Sequence, residues 1–166
     1  MAGERSGNPL NVITTLNTLT GVTSLRPDLV GDPAIIGSAT QWFANSVCDP
    51  RIAAPAVGSC NSSSVFALPV SASGVLHLGN LPRNAIVGPA FSDVDLSLIK
   101  NVALMGPARL QLRVEVFNPF NAANFGQPGR TAAVGSTSFG VITNTRFPTG
   151  DSGSARRVQF AVKVLF

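Results

Sequence analysis

The chain has 166 residues, a formal net charge of +4 and only 12% charged residues, about half the share of roughly 25% usual in soluble domains. Its Lys and Arg are scattered without interleaved aromatics, which argues against a nucleic-acid partner. Apolar residues make up 45%, yet no run approaches the roughly 18 uninterrupted apolar residues of a membrane helix, and 16 Gly with 12 Pro point to strands joined by long loops.

Residues 1–6 lack the cationic start and apolar core of a secretory signal. If the chain lies in an outer membrane, it is therefore expected to be a piece of a longer protein. Residues 6–15 form a weak strand candidate, with Pro9 near its beginning because proline cannot donate to a ladder; Leu10, Val12 and Thr14 share one face. Periodicity then disappears over 16–91, where Gly, Pro, Ser and Asn surround short apolar runs. Roughly 75 residues without a strong element far exceeds an ordinary connection and predicts a functional, extracellular surface loop. Trp42-Phe43 and Val65-Phe66-Ala67-Leu68 are its expected anchors. Cys48 and Cys60 fall in this stretch, where a disulfide would suit an oxidising periplasm or cell surface and two free thiols are the alternative.

Alternation returns over 92–104. Val94, Leu96 and Leu98 oppose Asp93, Asp95 and Ser97, after which the phase blurs at Ile99 and Lys100. Met105-Gly106-Pro107 makes a tight turn into the clearest strand of the chain, so 92–118 reads as a β-hairpin. In that second strand Leu110, Leu112, Val114 and Val116 alternate with Arg109, Gln111, Arg113 and Glu115, a period of two. Asn118-Pro119 ends it. Residues 119–155 are a second long loop with a short strand candidate at 139–145, and 156–166 is a terminal strand. There Val158, Phe160, Val162, Val164 and Phe166 fall on one side, with Arg157, Gln159, Ala161 and Lys163 on the other.

Two environments use such strands: a soluble sandwich that buries the apolar face, or a membrane barrel that shows it to lipid. The polar face carries long charged and amide chains, which a wet lumen hydrates well. Reversing the phase in a membrane would cost roughly 2 to 4 kcal/mol for each Arg near the midplane. Arg109, Gln111, Arg113, Glu115, Arg157, Gln159 and Lys163 are thus the lumen-facing candidates. The fold class expected is all-β, with antiparallel strands making part of a transmembrane barrel over 1–166 and both long loops on one side. Four wall strands cannot close a barrel, for which about eight is the practical minimum, so the rest of the barrel is an expected partner.

Several stretches carry a family resemblance. Ser6-Gly7-Asn8-Pro9, Arg26-Pro27-Asp28-Leu29-Val30-Gly31-Asp32-Pro33, Gly79-Asn80-Leu81-Pro82-Arg83-Asn84, Gly88-Pro89, Asp95-Leu96-Ser97-Leu98-Ile99-Lys100-Asn101, Arg109 through Asn121, Asn124-Phe125-Gly126 and the closing Gln159 through Phe166 resemble the C-terminal end of Oar-like TonB-dependent outer-membrane transporters of the acidobacterial type. The resemblance implies about the last four strands of a 22-stranded barrel, with a plug and a TonB-contacting part elsewhere in the protein, in the bacterial outer membrane. It further implies energy-coupled uptake, outer-membrane lipid around the wall, and recognition of Phe160, Val162, Val164 and Phe166 by the barrel-assembly machinery. The absence of Tyr departs from the family and leaves Phe to form the aromatic girdle.

Other motifs are weaker. Gly150-Asp151-Ser152-Gly153 matches a serine-protease nucleophile motif over four residues, but Ser154-Ala155 breaks it and His77 is too near Asp93 in sequence for the usual triad; a flexible loop tip is the better reading. Asp93 with Asp95 could perform acid-base work or bind calcium, although lumen polarity explains both. One His and no Cys-x-x-Cys give no zinc site. The expectation is a transporter wall with neither enzymatic role nor cofactor; the alternative is an autonomous secreted or surface β-sandwich acting in binding or adhesion.

Overall fold

The computed structural model describes residues 2–5, 7–16, 25–147, 153 and 155–166. Their strands are β1 (Ala2–Arg5), β2 (Pro9–Leu10), β3 (Ile13–Thr14), β4 (Asp28–Leu29), β5 (Val47–Cys48), β6 (Phe66–Ala67), β7 (Ile86–Val87), β8 (Phe91–Ala103), β9 (Arg109–Phe117), β10 (Thr131–Ala132) and β11 (Arg157–Leu165). Where the sequence suggests one barrel region over 1–166, the chain divides into two compact units. The first comprises Met1–Ser6, Ala90–Phe125 and Thr145–Phe166; the second comprises Gly7–Pro89 and Gly126–Asn144.

The first unit is a four-stranded sheet in the order β1-β8-β9-β11, antiparallel throughout. Alternating apolar and polar residues build β9 and β11, whose nine residues each match the roughly 9 to 11 of a tilted membrane strand. The β8–β9 connection is short, closed by the Leu104 amide donating to the Ala108 carbonyl at 2.9 Å. Gly106, at φ 68°, supplies the left-handed residue that this turn needs. Both long excursions leave from the opposite end of the sheet, because β1 ends and β8 begins there, as β9 ends and β11 begins.

The first strand of the sheet is not the one expected at 6–15. Ala2–Arg5 pairs with β8 in the register Ala2 to Val94 through Arg5 to Phe91. Residues 7–15 instead fold into the second unit, where β2 pairs with β7 and β3 lies parallel to β10. The expected alternation is real, since Leu10, Val12 and Thr14 are all buried, but it faces protein. The 139–145 candidate is reduced to isolated bridges, Gly129 with Phe139 and Phe125 with Thr145.

The second unit explains why 16–91 shows no periodicity. Its strands are two residues long, and its core is assembled from separate short runs: Leu10, Val12, Phe43, Val65, Phe66, Leu81, Ile86, Ala132 and Phe139. Phe43, Phe66 and Phe139 form a triad of edge-to-face rings with centroids 5.1, 5.3 and 6.1 Å apart, the arrangement favoured by aromatic quadrupoles. Gly79 packs so closely on the Arg26 and Pro27 carbonyls that a Cβ would collide with backbone. Beside it, the Arg26 guanidinium donates to the Leu81 carbonyl at 2.8 Å. Removing one ring of the triad with Phe66→Ala should destabilise this unit by about 3 to 5 kcal/mol, read as an earlier unfolding midpoint in denaturant.

A disulfide joins Cys48 and Cys60, and the loop it closes has its own electrostatic clasp. The Arg51 guanidinium donates to both Asp49 oxygens, at 2.9 Å from Nε to Oδ1 and 2.7 Å from Nη2 to Oδ2, while the Asp49 amide donates to the Gly58 carbonyl at 2.8 Å. The side-chain hydrogen bond from Arg51 outweighs burial, and with that residue's amide and charge it holds the Asp49 carboxyl below its ordinary value of 3.8. A depressed carboxylate contributes stability that is fully present above the unfolded value and lost as pH falls through the folded one. The protection of the Arg51 and Ile52 amides, taken relative to an unstructured peptide at the same pH, should therefore fall as pH drops below about 4, and Asp49→Asn should make the loop looser at neutral pH and remove that acid dependence.

Candidate functional site

The sheet of the first unit places each side chain by register alone. From Asp95 to Ala103 the partner numbers on β8 and β9 change in step, without an inserted residue, and β9 and β11 do the same from Phe117–Arg157 to Arg109–Leu165. One face is therefore built of the rows Leu96-Val116-Val158, Leu98-Val114-Phe160, Lys100-Leu112-Val162 and Val102-Leu110-Val164. Leu98 is 71% exposed, Phe160 75% and Val162 68%, so these side chains stand open on the surface of the sheet. A sandwich would seal these same residues in a dry core, whereas here they are exposed.

The other face holds the rows Asp95-Phe117-Arg157, Ser97-Glu115-Gln159, Ile99-Arg113-Ala161, Asn101-Gln111-Lys163 and Ala103-Arg109-Leu165. All seven polar candidates, Arg109, Gln111, Arg113, Glu115, Arg157, Gln159 and Lys163, come together on it. Arg113 pairs with Glu115, Gln111 donates to Asn101 at 3.0 Å, and the Arg157 guanidinium lies 5.6 Å from the Phe117 ring centre. Lys163 faces Gln111 and is thus the diagonal neighbour of both Arg109 and Arg113, within reach of long side chains. The half of this face nearest the turn is consequently cationic, with Glu115 its nearest counter-charge.

Phe160, Val162, Val164 and Phe166 all belong to the exposed apolar side of the chain's end. Strand β11 is at the border of the sheet, so its outer backbone groups have no strand partner among the described residues. Such an edge is ready to pair with a further strand.

At the loop end three asparagines replace backbone. Asn124 donates to the Ser92 carbonyl at 2.8 Å and accepts from the Ser92 amide at 2.9 Å, as a neighbouring strand would. Asn118 exchanges two 3.0 Å hydrogen bonds with the backbone of Ala122, and Asn121 accepts from the Arg156 amide at 3.1 Å. Asn118 and Asn121 have φ of 47° and 51°, where asparagine is tolerated far better than other side chains. Sequence reasoning found the strand end at Asn118-Pro119 but missed this knot. Its signal was the three-residue spacing of Asn118, Asn121 and Asn124, each a residue that can bond its local backbone.

The remaining candidates do not converge. Asp93 and Asp95 share the polar face, and His77 in the second unit bonds Asp28 at 2.6 Å. Asp28 also accepts from the Asn80 amide at 3.0 Å, so this cluster ties β4 to the 77–80 loop. The Gly150-Asp151-Ser152 portion of the nucleophile-like motif lies outside the described residues. Among the described residues no group of three or more His, Cys, Asp or Glu could hold a metal. Among the described residues no helix is long and apolar enough to cross a membrane, a fact silent on strands.

Comparison with known proteins agrees with the exposed apolar wall. A family model described as an outer membrane beta barrel domain matches residues 3–159. No curated protein and no solved structure matches the chain. With nearly its whole length matched, and with strands that segregate apolar from charged side chains by register, the chain belongs to the outer membrane beta barrel domain family and resides in the bacterial outer membrane.

Proposed function

We propose that this chain is the C-terminal wall of an Oar-like, TonB-dependent outer-membrane transporter, operating only together with the rest of its barrel and with a plug. The barrel-wall part of this reading is carried by the asymmetry of the sheet, one short turn at 104–108 on one end and both long excursions on the other; its TonB-dependent, Oar-like part rests on the resemblance of the sequence motifs. Outer-membrane barrels have short periplasmic turns and long extracellular loops. In that orientation the excursions meet the medium, the apolar rows meet lipid, and Arg109, Gln111, Arg113, Glu115, Arg157, Gln159 and Lys163 line the lumen. Four strands enclose no lumen, so uptake, energised through TonB, is a property of the complete protein.

The wall holds no proposed chemistry. Its ionic face contributes hydration and charge, and the Arg113–Glu115 pair, half-exposed in the structure, is worth at most about 1 kcal/mol. The edge strand β11 and its apolar residues Phe160, Val162, Val164 and Phe166 are the part addressed by the barrel-assembly machinery. An aromatic at the strand end can sit in the interface while the unpaired backbone beside it templates closure.

The complete protein should bind a purified TonB C-terminal domain and should stay closed to small ions in a planar bilayer, because a plug fills its lumen. A permanently conducting pore that ignores TonB would identify a passive channel instead. Removing Phe166 should leave most of the protein unassembled, seen as loss of the heat-modifiable species from outer-membrane fractions; unchanged assembly would strip the terminal strand of that role.

A further inference from the structure

The blurred phase at Ile99 and Lys100 has two physical explanations. A β-bulge there would absorb one residue and return Lys100 to the polar face; an unbroken ladder would leave it among the apolar side chains. The ladder is unbroken: Leu98 faces Val114, Ile99 faces Arg113, Lys100 faces Leu112 and Asn101 faces Gln111. Lys100 is therefore a cation on the apolar face, in one row with Leu112 and Val162. Among the described residues it has no ionic or hydrogen-bonding partner for its ammonium, and every other position of that face from Val94 to Val102, Leu110 to Val116 and Val158 to Val164 is apolar.

A charge in hydrocarbon is costly and is retained where it has a role or an escape. Lys100 is three residues from the last row of the sheet, Ala103-Arg109-Leu165. Three rises of about 3.4 Å, tilted by roughly 40°, put its Cα about 8 Å below that level. An extended lysine stem spans about 6 Å, so the ammonium reaches nearly to the membrane surface on the turn side, while its stem lies along apolar neighbours. The requirement is for a single negative charge at the surface, joined to chains that pack on Leu98, Val102, Leu110, Leu112 and Val162.

We infer that Lys100 is a binding site for an anionic glycerophospholipid in the leaflet on the turn side, its ammonium contacting the headgroup phosphate and the lipid's acyl chains covering the apolar residues around it. One ligand meets both demands, which neither a soluble anion nor an uncharged lipid does. The site depends on the apolar face meeting lipid and not on energy coupling, so its failure would leave the transporter reading intact.

The test uses the complete barrel protein, wild type and Lys100→Leu, Lys100→Arg, each first shown to be heat-modifiable so that a wall defect is recognised separately. Lipid retention is measured by native mass spectrometry from mixed micelles of phosphatidylglycerol and phosphatidylcholine, with lipid A as a third competitor. Wild type and Lys100→Arg should retain phosphatidylglycerol about fivefold over Lys100→Leu, with no such difference for phosphatidylcholine. Equal retention by wild type and Lys100→Leu would overturn the proposal, as would a preference for lipid A over phosphatidylglycerol. In folding titrations, Lys100→Leu should gain stability in phosphatidylcholine vesicles and gain less or lose in phosphatidylglycerol; an identical change in both would show a charge that is merely tolerated.

Discussion

The unbroken ladder between β8, β9 and β11 is the constraint on which the rest depends. In hydrocarbon a backbone amide or carbonyl without a partner costs several kcal/mol, so a membrane strand cannot trade pairing for a better side-chain environment. Once the Asp95-Phe117-Arg157 row is set, every row to Ala103-Arg109-Leu165 follows, and a slip of one residue would turn all of them over. Leucines and valines gather on one side and ionic residues on the other because the register admits no local compromise. Ile99, set opposite Arg113, and Lys100, set opposite Leu112, are the positions where that rigidity is visible, since both side chains occupy the face that suits them less.

The second unit obeys different accounting. Its strands are too short to satisfy much backbone, and hydrogen bonds from side chains and turns do the work: Asn45 donates to the Phe139 carbonyl at 2.6 Å, Trp42 to the Val87 carbonyl at 2.8 Å, and Asn80 accepts from the Leu29 amide at 2.7 Å. These contacts join residues 45 to 94 positions apart. Ordering so long a chain is entropically expensive, which accounts for a dry centre of three phenylalanines and a disulfide in a stretch otherwise rich in Gly, Ser and Pro. Burying Leu10 and Val12 in that centre, with Thr14 buried beside them in sequence, explains how one alternating pattern can serve an interior while others serve lipid.

This contrast also marks what the sequence could tell. Period-two patterning exposed β9, β11 and the hairpin turn, because in a long strand the faces are a local property of the chain. It located Phe43 and Phe66 only as members of apolar runs and gave no hint that Phe139 joins them, since contacts between distant loops leave no periodic trace. The strand expected at 6–15 was misplaced for a related reason. Alternation states that two faces differ in polarity, and both lipid and a protein core reward the same pattern; only the pairing of Ala2–Arg5 with β8 separates them. The blurred phase at Lys100 belongs to the same class, since only the constant register shows that no bulge relieves it.

The two ends of the sheet show how such a wall accommodates loops of very different size. At the turn end, Gly106 lets β8 reverse into β9 within a few residues, and little is asked of other side chains. At the opposite end the strands must stop while the chain departs for dozens of residues, and their last backbone groups would be left without partners. Asn118, Asn121 and Asn124 take over there, bonding Ala122, Arg156 and Ser92 in place of a neighbouring strand. Because these bonds are made by side chains next to the strand ends, the ladder is closed locally and no further strand is needed there. The register of the wall is thereby held by the ladder and by these few asparagines, and not by the packing of the excursions themselves.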